Sequence, residues 1–499
     1  MVQDARRRWL LLAVVGAGLL LITLDNSILY AALPTLVDDL GASSSQSLWI
    51  INAYPVVMAG LLLGSGTLGD RIGHRRMFLI GLVVFGVASL AAAFSPTADT
   101  LIAARAFLAV GAAAMMPATL ALIRVTFHDE RERNVAIAVW GSLALVGGAL
   151  GPIIGGLLLN SFWWGSVFLV NVPVVVAALI ATLVLAPPND ADPTKRWDLV
   201  SSLLALVALV GLVIAIKETA KPDPAPAPIA IALLAAVVGG WAFARRQHRL
   251  PYPLLDFAIF RNRAFLAGVL SAGFSLFALA GIQLITTQRF QLVEGYTPLG
   301  AGLLVAAVAL GALPLAMVGG AILHKVGLLP LIAGGLALGT VGSALVLLNF
   351  DSSTGLLITG LLVTGAGLGA AMSVASSAIM GNVPASRAGM ASSVEEVSYE
   401  FGSLIAVALL GSLLTGVYAA TVDLPAGVPD SARDSLDKAL TLAGNDNPSL
   451  VTAASTAFDG AYFTVMVVVT AVMAVGTIVT GLLLRRHGPG SALSAPVHH

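Results

Sequence analysis

The chain has 499 residues, of which 58% are hydrophobic and only 10% charged. Soluble domains carry about a quarter charged residues, so a water-solvated core is excluded and lipid is the expected solvent. Lys and Arg balance Asp and Glu at 26 each, which gives no electrostatic reason to expect nucleic acid, and with no cysteine there is no disulfide, thiolate or zinc–cysteine chemistry.

The first apolar run follows Arg6, Arg7 and Arg8 and continues from Trp9 to Ala32. A signal peptide has that charged start, but the run is long and lacks a cleavage site, as suits a first spanning helix. A helix needs about 20 apolar residues to cross a bilayer. By that measure the predicted spans are 9–32, 49–68, 77–96, 100–124, 134–159, 164–186, 199–217, 228–244, 264–290, 299–323, 328–349, 354–378, 391–417 and 460–485. The runs are continuous rather than alternating, which argues against a β-barrel. The fold class is therefore an all-α polytopic membrane protein with 14 transmembrane helices.

Loop charge sets orientation, because Lys and Arg favour the cytoplasm. Twenty of the 26 fall in one alternate set of loops and tails and five in the other, with Arg105 inside a span. Both termini are expected to be cytoplasmic. The turn Gly66-Thr-Leu-Gly-Asp-Arg-Ile-Gly73 between spans two and three matches Gly320-Ala-Ile-Leu-His-Lys-Val-Gly327 between spans ten and eleven. Matching turns at matching places suggest a duplicated six-helix unit. The expected domains are 1–186 and 264–487, each a six-helix bundle, with 187–263 an inserted helix pair with its linkers and 488–499 a cytoplasmic tail. The polar stretch 418–459 lies outside. Leu436 and Leu440 allow a short amphipathic helix there, though a solvated loop is the expectation.

Ionisable groups inside spans carry the functional signal. Each costs about 2.5–3.5 kcal/mol at a helix centre on insertion scales. Asp25 stands about sixteen residues into the first span, and Arg105 about five from the start of the oppositely running fourth. At about 1.5 Å per residue they lie at similar depth. Burial favours the neutral acid and a neighbouring cation the carboxylate, so the pair suits either a proton carrier or a plain structural ion pair. Glu396 and Glu400 share one face of the thirteenth span and Glu395 is turned about 100° away. Glu395 and Glu396 are near enough to the cytoplasmic end to snorkel. Four acids against one buried base, Arg105, make a cavity that prefers cations. Trp49, Tyr54, Trp140, Phe274 and Phe277 are aromatic candidates for its lining, or else packing residues. Gly147, Gly151, Pro152, Gly155 and Gly156 in the fifth span allow close helix approach and a kink.

Taken in order, these strings resemble the fourteen-helix drug:proton antiporters of the major facilitator superfamily. LDNSILYAALP (24–34), GTLGDRIGHRR (66–76), Arg105 with Gly111 and Met116-Pro117, GGALGPIIGG (147–156) and WWGSVFLVNVP (163–173) are similar to that family's successive motifs. EEVSYEFG (395–402) and the 418–459 loop resemble the quaternary-ammonium and methyl viologen exporters, the SmvA and QacA group. The resemblance implies a non-enzymatic multidrug efflux antiporter of the bacterial inner membrane. It implies export of quaternary ammonium compounds, dyes, biguanide antiseptics and methyl viologen as a monomer, with no cofactor beyond the transmembrane proton gradient. Its partners would be cationic drugs, protons and membrane lipids. Asp25, Arg105 and Glu396 would carry proton coupling. Asp25, Tyr54, Trp140, Glu395, Glu396, Tyr399 and Glu400 would meet the drug. Gly66, Asp70, Arg71, Gly73, Gly151, Pro152 and Gly155 would form the conformational switch, with Asp70 and Arg71 acting through ion pairs and helix ends. Leu108 and Ala109 depart from the fourth-span motif, His324 replaces the second-half acid, and the tenth span has no acid. An exporter of another organic cation, such as a basic amino acid or polyamine, is the alternative.

Overall fold

A computed structural model describes residues 5–42, 44–192, 197–219, 224–250, 253–384, 387–444 and 447–487. The expected tail 488–499, and Lys195, Arg196 and Lys221 from the orientation count, lie outside the described residues. Among those described there is no strand.

The helices are α1 (Ala5–Leu40), α2 (Ser44–Ile72), α3 (His74–Ala93), α4 (Ala98–Thr126), α5 (Glu130–Ser161), α6 (Ser166–Leu169) and α7 (Asn171–Leu185) in the first half. An inserted pair follows, α8 (Leu199–Thr219) and α9 (Pro226–Gln247). The second half has α10 (Arg263–Leu292), α11 (Pro298–Val326), α12 (Leu328–Asn349), α13 (Thr354–Gly381), α14 (Ala388–Thr421), α15 (Leu436–Ala443) and α16 (Pro448–Leu484). Thirteen stretches, α6–α7 counting as one, are long and apolar enough to cross a membrane, and α5, bent by 45° between Gly148 and Ile153, makes up to 14. The sequence has a proline at position 152 within that stretch, and proline lacks the backbone donor that a regular helical turn needs.

The polar residues between spans stop and start the helices. Thr97 and Thr100 form a reciprocal cap on α4, Asp129 caps α5, Asn262 caps α10 and Asn447 with Pro448 opens α16. Gly73 and Gly327 end the two repeated turns with φ of 94° and 87°, a region closed to side chains with a Cβ. The repeat therefore extends from sequence to backbone.

Packing repeats as well. In the first half α1 lies on α5 and α7, α4 on α2 and α3, and α3 on α7. In the second half α10 lies on α14 and α16, α13 on α11 and α12, and α12 on α16. The halves meet reciprocally, α2 on α14 and α5 on α11, the relation a pseudo-two-fold axis produces.

The inserted pair is fastened to α2. Gly60 and Gly64 of α2 face Leu206, Val210 and Ser202 of α8, and Trp197 Nε1 donates to Gly64 O at 3.1 Å. Fully buried Val213 packs with Val56 of α2 and Leu404 of α14, so α8 covers the seam between halves. The linker before it is pinned too: Asn189 donates to Ile72 O at 2.7 Å and accepts from Arg76 N–H at 3.0 Å.

Two expectations change in the second half. The last helix begins at Pro448 rather than 460. The 418–459 stretch is not a solvated loop: α15 forms and packs on α16, burying Leu436, Ala439 and Ala443. Tyr418 donates to Ala432 O at 3.0 Å, tying this segment to the end of α14.

Candidate functional site

α1 and α4 bring Asp25 and Arg105 together. Arg105 Nη1 donates to Asp25 Oδ2 at 2.5 Å, with both side chains fully buried. Arg105 Nε donates to Ile50 O at 3.3 Å, and its guanidinium lies 4.6 Å over the Tyr54 ring. The other carboxylate oxygen accepts from Asn171 Nδ2 at 2.8 Å, and the same amide reaches Ser89 Oγ at 3.4 Å. Asn171 stands at the start of α7, where the break after α6 turns it inward. In the sequence Asn171 stands only as part of the 163–173 string, with no role assigned to it. The available signal was a lone amide in an otherwise apolar run.

This is a saturated carboxylate with a movable complement. Arg105 Nη2, Asn171 Oδ1 and the Tyr54 hydroxyl are buried without hydrogen-bond partners. Buried polar atoms of that kind are scarce in folded proteins. Here they surround one acid, so a proton gained or lost at Asp25 has spare donors and acceptors to rearrange around it.

The α5 glycines serve this acid. A Cβ at Gly147 would fall 2.0 Å from Thr23 Oγ1, and one at Gly151 1.8 Å from Ser27 Oγ. Ser27 donates to Gly147 O at 3.0 Å. α5 therefore presses against α1 on both sides of Asp25. Gly155 is buried farther along α5; the Pro152 side chain lies outside the described features.

The α14 acids separate. Glu395 is fully buried, accepts from Ser376 of α13, and is reached by the Tyr399 hydroxyl one turn on. It belongs to the interior of the second half and does not snorkel. Glu396 is 2% exposed and one of its carboxylate oxygens has no partner, so it does not snorkel either. Both acids lie in the second turn or beyond of a helix that starts at Ala388, where neighbouring helices enclose them. Glu400 is partly buried.

The aromatic candidates divide. Trp140 Nε1 donates to Thr119 Oγ1 at 3.1 Å and is 3% exposed, holding α5 on α4. Phe274 packs at Gly476, and Phe277 sits in the second-half core. Trp49 is 43% exposed.

Contacts between halves gather at the arginine-rich face. Asp70 Oδ1 accepts from the Gly389 N–H at 3.1 Å and lies 3.2 Å from His74 Nε2. Gly389 opens α14, so the carboxylate sits at a helix N-terminus. Ser393 donates to Leu62 O at 2.7 Å, and Arg124 to Val383 O at 3.4 Å. Gly66 lies so close to Gly389 and Ser393 that a Cβ would fall 2.3 Å from the first's carbonyl and 2.0 Å from the second's hydroxyl. Arg71 is exposed and makes no ion pair among the described residues, and the side chain beside Asp70 is His74.

Arg105 is not the lone buried base. Arg289, at the end of the predicted span 264–290 and counted there with the loop charges, lies inside α10 at 2% exposure. It pairs with Asp459 at 2.7 Å and Glu294 at 3.2 Å, beneath the rings of Phe350, Phe290 and Tyr462. Asp459 had no span to itself in the sequence because the early start of α16 was hidden. Replacing Arg289 by Met should cost about 1–3 kcal/mol, since it leaves the partly exposed carboxylates of Asp459 and Glu294 without their hydrogen-bond partner. Thermal melting in detergent checks this, and adding Asp459→Asn should restore most of the loss.

Residues 15–407 match the family model of the Major Facilitator Superfamily. The chain is 38% identical over 498 residues to the multidrug efflux pump LfrA of Mycolicibacterium smegmatis, covering 96% of this chain and 97% of that one. It is 36% identical over 448 residues to the methyl viologen resistance protein SmvA of Salmonella typhimurium, covering 89% and 90%. It is 31% identical over 427 residues to the multidrug resistance protein Stp of Mycobacterium tuberculosis, covering 85% and 80%. Among solved structures, the proton:xylose symporter XylE superposes with TM-score 0.62 at 12% identity, covering 98% of each chain, a likeness of fold.

Proposed function

We propose that this chain, which belongs to the Major Facilitator Superfamily, is a proton-coupled exporter of lipophilic cations in the bacterial inner membrane. The observation that carries the reading is the buried Asp25 carboxylate, held by Arg105 and Asn171 amid unpartnered polar atoms. Relatives named for multidrug efflux and methyl viologen resistance support the substrate class.

The cycle uses these parts in order. With the cytoplasmic seam apart, a cation enters between the halves and meets ionised Asp25, Glu396 and Glu400. The seam at Asp70, Gly66 and Gly389 then closes, and the opposite side opens. Protons from outside neutralise the acids, the cation loses its counter-charge and leaves, and the protonated carrier returns. Each elementary charge moved across the membrane is worth about 2.3 kcal/mol per 100 mV. One proton for one monovalent cation is electrically silent, so the pH gradient drives it. Trp140 donates to Thr119 and Glu395 accepts from Ser376, which supports assigning the cargo to Glu396 and Glu400.

A drug panel in an efflux-deficient host, run with and without an uncoupler, tests the reading: resistance to quaternary ammonium compounds that survives the uncoupler would sink it. At the residue level, Glu396→Gln and Glu400→Gln should each weaken cation binding, with a larger loss for divalent than for monovalent cations. Equilibrium binding of a dye and of a dication to the purified variants measures this. Unchanged affinity in both variants removes α14 from the cargo site.

A further inference from the structure

The cytoplasmic end of the inserted pair carries a groove that the transport cycle does not use. It has a volume of about 400 Å³, and its rim carries Arg245, Arg246 and Arg249. Its walls include Val200, Leu204 and Trp241.

The three arginines are not equivalent. Arg246 grips Asp198 with Nε at 2.7 Å and Nη2 at 3.1 Å. Asp198 also caps α8 through Val200 N–H at 3.0 Å and Ser201 Oγ at 2.7 Å. These bonds, the Arg246 fork foremost, hold the Asp198 carboxyl down at about 2, so that charge is answered at any physiological pH. Arg245 has no such carboxylate; its guanidinium lies 5.1 Å over the Trp241 ring. Arg249 is exposed and makes no ion pair among the described residues. Two cations therefore share one groove without a counter-charge, and each raises the cost of the other.

Below the rim the surface is apolar and outward-facing. Val200 is 50% exposed, Leu203 50%, Trp241 60%, Val238 52% and Val237 68%. An exposed Trp at that level, beneath arginines, marks a membrane interface. The ligand that fits has a negative head for the rim and hydrocarbon for the wall. Free phosphate has only the first, and a zwitterionic lipid brings no net charge to the two guanidinium groups.

We propose that this groove binds the headgroup of an anionic phospholipid from the cytoplasmic leaflet. Arg245 and Arg249 take the phosphate, Trp241 holds Arg245 in place, and the acyl chains lie along α8 and α9. Because α8 is fastened to α2 through Gly60, Gly64 and Trp197, the lipid anchors the first half at the seam it shares with α14.

The test uses the full chain in detergent, titrated with phosphatidylglycerol or phosphatidylcholine of the same acyl composition and read by native mass spectrometry. The wild type should bind phosphatidylglycerol in preference. Arg245→Gln with Arg249→Gln should weaken that binding by about 25-fold, on the order of fivefold for each basic side chain at a membrane surface. Arg485→Gln with Arg486→Gln, at another cytoplasmic helix end, should leave it unchanged, and the melting temperature of each variant shows that it is folded. Unchanged phosphatidylglycerol binding in the Arg245/Arg249 variant, an equal loss in the Arg485/Arg486 variant, or equal binding of phosphatidylcholine would each overturn the proposal. So would full displacement of the lipid by inorganic phosphate at equal concentration, since that assigns the groove to a simple anion.

Discussion

Ethidium efflux from energised vesicles should fall to the level of empty controls when Asp25 is replaced by Asn, while the protein still inserts. The replacement keeps the shape of the side chain and removes only its capacity to ionise. Arg105 Nη1 can donate to the new amide oxygen as it does to Asp25 Oδ2. The new amide nitrogen faces Asn171, whose oxygen has no partner, so a flip of the Asn171 amide supplies an acceptor. The hydrogen-bond geometry therefore survives, although Arg105 loses its buried counter-charge, a loss of about 3–5 kcal/mol in stability that thermal melting would show; what efflux loses is the exchangeable proton. Asp25→Glu should keep partial activity, because it keeps the acid but lengthens it inside a pair that is fully buried. Proton-dependent efflux at wild-type rate in Asp25→Asn would remove Asp25 from the coupling step.

The second large effect is expected at the seam. A Cβ on Gly66 would fall 2.3 Å from the Gly389 carbonyl oxygen, a backbone atom at the start of α14 that cannot step aside without moving the helix. Gly66→Val should therefore force the halves apart at the arginine-rich face. Overpacking costs about 1–3 kcal/mol, which converts to a shift of about 5- to 150-fold between closed and open seam. The chain has no cysteine, so Ala138→Cys reports alone. Ala138 is fully buried on α5 and faces Gly320 of α11 across the same seam. Its labelling by a hydrophilic maleimide in the purified protein should accelerate by that factor when Gly66→Val is added. Gly66→Ala should give a smaller acceleration. An unchanged rate in both would mean that this contact does not hold the seam.

The spans were legible because hydropathy is a one-dimensional property, written along the chain. The repeat was legible because two glycines with positive φ must remain glycines, as Gly73 and Gly327 do. The depth match of Asp25 and Arg105 followed from helix rise alone, and these two side chains form a buried pair. Asn171 was hidden because its role depends on the rotation of α7, which no spacing within its own helix sets. Arg289 was hidden because its partner Asp459 sits in a helical extension that reads as polar loop. Glu395 and Glu396 read as able to snorkel because the sequence shows distance from a helix end and not what packs there. Ser376 lies on another helix, and only packing places it on Glu395. Arg71 and His74 show the same limit: both follow Asp70 closely, and the local turn selects which one reaches it.

The central claim is that the cation and the proton compete for the same buried acids, Asp25 foremost. The most direct measurement is proton release from the purified protein in weakly buffered detergent when tetraphenylphosphonium is added. The expected result is a release that saturates with cation binding and shrinks in Asp25→Asn. Cation binding at full affinity with no proton released would contradict it.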